Sequence, residues 1–182
     1  MKRRNKTTDS GETPPSRVGG KADDLAPGTV LGKYRIVSRL GVGGMGSVYQ
    51  AVHTGIAKSV ALKTMSPQLA GDPRTAARFL REAASASRLD HPHVVGVTDF
   101  GTDRGISYLV MEFLRGEDLG MLIARSPSGL PTVMVADIML AVCAGVFAAH
   151  ESGVVHRDLK PPNIFIAQTS LGASPTAITS SA

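Results

Sequence analysis

Gly41, Gly43 and Gly46 are spaced Gly-x-Gly-x-x-Gly, and the residues after them alternate: Val48, Gln50 and Val52 fall on one side, Tyr49, Ala51 and His53 on the other. That alternation is a strand. In doubly wound parallel folds the same glycine spacing is followed by a helix and by an acidic residue about twenty positions on. Here that position is Ser66 and no helical pattern follows, so a dinucleotide-binding doubly wound fold is excluded. The segment Leu40-Gly41-Val42-Gly43-Gly44-Met45-Gly46-Ser47-Val48 instead joins two strands as a flap. Without Cβ atoms, such a flap lets main-chain N–H groups approach phosphate oxygens. An ordinary flexible hairpin explains the glycines equally well, so the loop alone assigns no function.

The rest of the chain supplies a sheet for that flap. YRIVSRL, SVYQAVH and SVALKTM read as three antiparallel strands from Tyr34 to Met65, and VVGVTDFG and ISYLVMEF as two more. The last pair is joined at Thr102-Asp103-Arg104-Gly105, where Gly105 suits a turn residue of positive φ. Asp72 followed by Pro73 is an N-cap with proline at the first helical position. The helix after it carries Phe79, Leu80, Ala83 and Leu89 on one side and is expected to end near Asp90. Five strands and one helix make an α+β unit. After Gly116 the pattern is helical, first in EDLGMLIAR and then from Pro131 to His150, with Gly153 placed to take a left-handed cap.

Composition limits the function classes. The chain has 182 residues, 42% of them apolar, enough for an aliphatic core. Residues 1–29, with Lys2, Arg3, Arg4, Lys6, Arg17 and Lys21 among Pro, Gly, Ser and Thr, read as a disordered basic arm. The net charge of +5 is scattered rather than striped, so no nucleic-acid partner is expected. Cys143 is the single cysteine and the N-terminus has no apolar run after its charges, which together point to a cytoplasmic location. The apolar stretch from Pro131 to His150 has the length of a membrane span. Asp137 near its middle would cost about 3 kcal/mol in a bilayer, so a helix buried in protein is the expectation.

Two further places concentrate chemistry. On the third strand, the period of two puts Ala61, Lys63 and Met65 on one face and Val60 and Leu62 on the other. Lys63 is a strand-edge lysine in water, or it lines a cleft and needs a partner. Glu82 is the candidate partner, with a surface i,i+4 pair to Arg78 as its alternative. Between the apolar runs Val154-Val155 and Ile164-Phe165-Ile166 lies His156-Arg157-Asp158-Leu159-Lys160-Pro161-Pro162-Asn163, a proline-stiffened loop with several functional side chains. His156 reads as a histidine packed under that loop, and His91 and His93 as part of a turn.

These residues resemble the eukaryotic-type protein kinase family, of the serine/threonine class also found in bacteria. The family pattern G-x-G-x-x-G-x-V is matched from Gly41 to Val48, the V-A-[IL]-K lysine by Lys63, and H-R-D-L-x-x-x-N from His156 to Asn163. The resemblance implies a five-stranded antiparallel N-lobe with helix C and hinge over residues 30–114. It implies a partial helical C-lobe with the catalytic loop over 115–166. It also implies that Leu40, Gly41, Val42, Gly43, Gly44 and Gly46 cover the phosphates of ATP. Lys63, held by Glu82, would orient the α and β phosphates, and Val48, Ala61 and Phe165 would sandwich adenine beside the hinge residues Glu112 and Leu114. Asp158 would position the substrate hydroxyl, Lys160 would neutralise the moving phosphoryl group, and Asn163 would hold Mg2+. Lys160 is the serine/threonine version of that position.

The resemblance runs from Tyr34 to Ile166. The family's D-F-G is expected about thirteen residues after Asn163, yet positions 176–178 read Thr-Ala-Ile, and residues 167–182 form a low-complexity Ser/Thr/Ala tail with no charged side chain. The implied reading is a kinase cut short, acting weakly or not at all on Ser/Thr proteins. Met134, Ile138, Met139, Val142 and Phe147 are then expected on a helix lacking its usual neighbours. The alternative is a non-catalytic regulator that binds nucleotide or a partner kinase. Glu117 and Asp118 stand near the place for ribose contacts, although a helix N-terminus attracts acids in any case.

Overall fold

A computed structural model describes residues 25–44, 46–70, 72–168 and 176–179. The chain runs β1 (Val30–Leu31), β2 (Tyr34–Gly43), β3 (Gly46–His53), β4 (Ser59–Met65), α1 (Pro67–Ala70), α2 (Pro73–Ala86), β5 (Val97–Asp103) and β6 (Ile106–Glu112). It continues through β7 (Gly116–Asp118), α3 (Leu119–Ala124), α4 (Thr132–Glu151), a 3-10 turn at Pro161–Asn163, β8 (Ile164–Ala167) and β9 (Thr176–Thr179). The first six strands form one antiparallel sheet in the order β1-β2-β3-β4-β6-β5, and β7-β8-β9 form a second.

Strand alternation gives the large sheet two different faces. Tyr34, Ile36, Tyr49, Ala51, Val60, Leu62 and Val110 point to one side and close a core, with Leu31 and Tyr108 completing it. The opposite side carries Ala61, Leu109 and Met111 against Phe79 and Ala83 of α2. Lys63 belongs to this second side, so the helix and the lysine share a face. The β5–β6 hairpin turns at Arg104 and Gly105, both at positive φ (49° and 78°), a mirror-type two-residue turn that matches the strand twist. Gly105 was legible as such a position; the strained Arg104 was not.

The arm expected over residues 1–29 is shorter than that. Residues 1–24 lie outside the described residues, but Leu25 packs against the core while its N–H donates to the Tyr49 hydroxyl (3.2 Å). Gly28 and Thr29 exchange main-chain bonds with Ile36, so β1 adds a sixth strand to the expected five. Polar composition hid this because one apolar side chain and backbone pairing suffice to dock the segment. Asp99 and Asp103 hold the following turn: Asp99 accepts from Tyr34 Oη (2.7 Å) and pairs with Lys33 (3.2 Å), and Asp103 accepts from Gly32 N–H (2.8 Å).

Helix α2 begins as its sequence dictates. The Asp72 carboxylate accepts from Arg74 N–H (3.0 Å) and Thr75 Oγ1 (2.7 Å), with Pro73 in the first turn. It ends at Ala86, short of Asp90, where the Ser87 hydroxyl turns back on Ala84 O (3.0 Å). Leu89 is buried beyond the helix end with Val94, Ala149 and Val154. The Thr75 bond, followed by the Arg74 bond, holds the Asp72 carboxyl below its ordinary 3.8. A depressed folded value means that the cap stabilises fully above 3.8 and fades as pH falls through that lower value. Asp72→Ala is therefore expected to lower the melting temperature at pH 7 and to match the parent protein in acid, a difference that paired thermal melts read directly.

After the hinge, Glu117 and Asp118 do not join a helix with LGMLIAR as expected. They form β7, pairing with Ile166 and Phe165, and α3 starts at Leu119 with Asp118 as N-cap (Oδ1 to Met121 N, 2.9 Å). Helix α4 buries Ile138, Ala141 and Val142 against Leu119, Leu122 and Ile164. It is not buried all round as its composition suggested: Val133, Leu140 and Phe147 are 73%, 69% and 66% exposed, and Met139 is exposed as well. By length and composition alone α4 is long and apolar enough to cross a membrane. Gly153 takes its left-handed conformation (φ 74°) just past the helix end. Residues 176–179 of the tail form β9, paired antiparallel with β8.

Candidate active site

The glycine flap is the end of one strand and the start of the next. Strand β2 pairs with β3 as far as Gly43 opposite Gly46, with bulges between Ile36 and Ser38 and between Arg39 and Gly41. Bulges increase local twist and bend the strand that carries them. The four glycines then divide by role. A Cβ built on Gly41, Gly43 or Gly44 meets nothing within 4 Å, whereas one on Gly46 would lie 1.8 Å from Thr64 O. Gly46 is required by the fold; the other three leave open space above a cleft.

That cleft has a volume of about 670 Å3. Its roof is Leu40, Gly41, Val42, Gly43, Gly44, Gly46 and Val48, its back Ala61, Lys63 and the hinge residues Met111, Glu112, Phe113 and Leu114, and its floor Asp158, Lys160, Asn163 and Phe165. The phosphate, adenine, catalytic-loop and Mg2+ residues singled out in the sequence all line it; Glu82 and Glu117 do not. Asp118, named as a candidate for ribose contacts, lines it as well, and so do Val95 and Pro162, which carried no clear sequence signal. Phe165 faces the cleft because β8 alternates, with Ile164 buried in the core below. Of the two acids near the hinge, Asp118 reaches the cleft; Glu117 is bound by the Arg125 guanidinium.

Glu112 enters differently from the expectation. Its carboxylate accepts from Gly96 N–H (2.8 Å) and its own N–H donates to Gly96 O (3.0 Å), tying the hinge to the loop before β5. Glu112, Phe113 and Leu114 all line the cleft, so this segment offers main-chain groups to a ligand there.

Lys63 is largely removed from water, and burial pulls its pKa below the ordinary 10.5 against the opposing fields of Asp158 and then Glu82. It makes no ion pair with any described residue. The Lys63–Glu82 pair implied by the resemblance is not formed: Glu82 Oε1 is bonded by Arg78 Nε at 2.9 Å, one helical turn away. Local geometry on α2 brings those two side chains together without tertiary help.

The loop below is held by its own atoms. Arg157 adopts φ 60°, strained for a residue with a Cβ, and Asp158 N–H turns back to His156 O (2.8 Å). Asp158 Oδ2 accepts from Lys160 Nζ (2.9 Å) and Asn163 Nδ2 (3.0 Å), and Asn163 Nδ2 also donates to Asp158 O (2.7 Å). The Lys160 bond in particular holds the Asp158 carboxyl below its ordinary 3.8. It is therefore an ionised acceptor, suited to orienting a hydroxyl rather than to removing a proton at neutral pH. His156 is half-buried under this loop, and its Nε2 has no partner among the described residues.

A two-lobed cleft with a glycine roof, a half-buried lysine that makes no ion pair with the described residues and an aspartate–lysine–asparagine floor defines a class, and comparison with known proteins agrees. The protein kinase domain family matches residues 34–172, and the chain belongs to that family. It is 41% identical over 145 residues to the serine/threonine-protein kinase pkn3 of Myxococcus xanthus, covering 79% of this chain and 26% of that kinase. It is 42% identical over 144 residues to the serine/threonine-protein kinase PknF of Mycobacterium tuberculosis, covering 79% and 30%. The PknI kinase domain of M. tuberculosis superposes with a TM-score of 0.76 at 34% identity, over 87% of this chain and 61% of that one. The chain thus spans less than a third of the length of these curated relatives and has the protein-kinase fold with part of the C-lobe. Where the family's acidic D-F-G residue is expected stands Thr176, paired with Ala167 across β9 and β8.

Proposed function

We propose that these residues are the ATP-binding and catalytic-loop part of a serine/threonine protein kinase, which transfers the γ-phosphoryl group of ATP to Ser or Thr hydroxyls of proteins. The observation that carries the reading is Lys63: a cation largely removed from water, with no ion pair among the described residues, lining a cleft whose roof leaves open space at Gly41, Gly43 and Gly44. Such a group calls for an anion, and the phosphates of a nucleotide meet both it and the main-chain N–H groups of the flap. Asp158 orients the acceptor hydroxyl, and Lys160 offsets charge on the group in transfer once it exchanges its bond to Asp158 for phosphate. Asn163 uses Nδ2 on Asp158 and keeps Oδ1 as an oxygen ligand for Mg2+, whose role when bound is to neutralise phosphate charge. Among the described residues no cluster of three His, Cys, Asp or Glu surrounds that oxygen, so nucleotide phosphates would supply the other ligands.

A second reading, nucleotide binding without phosphotransfer, is favoured by the lack of any acidic residue from Ala167 to Ala182. One experiment separates them. Thermal melts with Mg-ATP should show stabilisation, about 1.4 kcal/mol at ten times the dissociation constant. Radiolabel transfer to a basic protein that Asp158→Asn abolishes supports the kinase reading; stabilisation without transfer supports the second. No stabilisation at millimolar nucleotide sinks both.

A further inference from the structure

Lys63 is attracted by two carboxylates, and each is already engaged by another cation: Asp158 by Lys160, and Glu82 by Arg78. The two engagements differ in kind. Lys160 and Asp158 belong to one loop, whereas Arg78 and Glu82 are neighbours on one face of α2, where the pair forms whatever the rest of the protein does. Ala83, next to Glu82, is buried against Leu109 and Met111, so α2 is already seated on the face that carries Lys63. Leu109, against which Ala83 packs, is the cross-strand partner of Lys63, so Glu82 stands beside a residue docked next to the lysine while its carboxylate is bonded to Arg78.

We propose that Arg78 is a positioning residue that diverts Glu82 from Lys63, so that competition between these two cations for one carboxylate sets how the cleft lysine is held. This rests on the nucleotide-binding reading for its consequence but not for its geometry. Arg78 and Glu82 are 65% and 40% exposed, which makes their pair weak and open to displacement. An exposed i,i+4 pair of about 0.3–0.5 kcal/mol corresponds to roughly a twofold bias in the competition. Removing Arg78 therefore releases Glu82 to Lys63 without rebuilding the helix.

The test reads Lys63 itself, in the 182-residue chain without nucleotide, by NMR titration of its side-chain amine. Arg78→Ala should raise the Lys63 titration midpoint by about 0.2–0.4 unit, which is what releasing a pair of that strength supplies. In a Glu82→Gln background the same substitution should change nothing. An unchanged midpoint in Arg78→Ala, or a rise that survives Glu82→Gln, overturns the proposal. Mg-ATP affinity is measured in parallel and should tighten about twofold in Arg78→Ala. Failure of the parent protein to bind nucleotide would count against the proposed function and leave the amine titration to decide the role of Arg78.

Discussion

Gly46→Ala is expected to destabilise the protein by roughly 2–4 kcal/mol, whereas Gly44→Ala should leave its stability within about 0.5 kcal/mol. Gly46 sits at φ 148°, and its new Cβ would lie 1.8 Å from Thr64 O and 3.0 Å from Ser66 N. Both are main-chain atoms of β4 and the residues after it, so no side-chain rotation relieves the clash. The strand would have to separate at the Gly46–Met65 pair, two residues from Lys63. At Gly41, Gly43 and Gly44 an added methyl meets nothing, and any cost there should appear only when a ligand is present. Urea melts of the four alanine variants, followed by nucleotide titration of those that fold, make the separation. A Gly46→Ala protein as stable as the parent would show that this junction is looser than its geometry.

Lys63→Met is expected to pull stability and binding in opposite directions. Nucleotide affinity should fall roughly 10- to 100-fold, the worth of one charge-assisted hydrogen bond of about 1.5–3 kcal/mol. The empty protein should gain on the order of 1 kcal/mol at pH 7, because a methionine fits the apolar surroundings without carrying a desolvated charge. The sign follows from the depressed folded value. The unfolded chain binds the proton more tightly, so the charged form penalises folding at all pH values below the folded one. As pH rises between that value and 10.5 the parent protein gains stability, and the advantage of the methionine disappears. Melts at neutral pH and near pH 10.5 read the convergence. A variant that loses stability at pH 7 would mean that Lys63 is satisfied by a partner.

Much of the site was legible because its signals are local. Alternation placed Lys63 beside Ala61 and opposite Leu62, and the β3 alternation that followed Gly46 gave the flap its strand context. Asp72-Pro73 marked the start of α2 through bonds that span three residues. The order of the loop from His156 to Asn163 pointed to a site, and its side chains do bond one another. Boundaries were less legible where a distant residue decides them. Leu25 docks because Tyr49 is there to receive it, and α2 stops at Ala86 although its apolar pattern continues to Leu89. Glu117 and Asp118 extend as β7 because β8, nearly fifty residues on, offers a strand to pair with.

Five of the six strands of the large sheet, the flap, the cleft residues and their family could be read from the chain alone, since each depends on side-chain period, caps and short motifs that neighbours in the chain define. Packing in three dimensions settled which glycine the fold needs, that the Glu112 carboxylate is tied to Gly96, and which carboxylate holds which cation. Those outcomes depend on distances between elements far apart in the chain. Arg78 and Lys63 both suit Glu82 by charge, and no spacing rule ranks a neighbour one turn away on α2 against a lysine across the sheet. Exposure supplies the ranking: Arg78 meets Glu82 at the surface at little desolvation cost, while Lys63, largely removed from water beneath the glycines, makes no ion pair with the described residues.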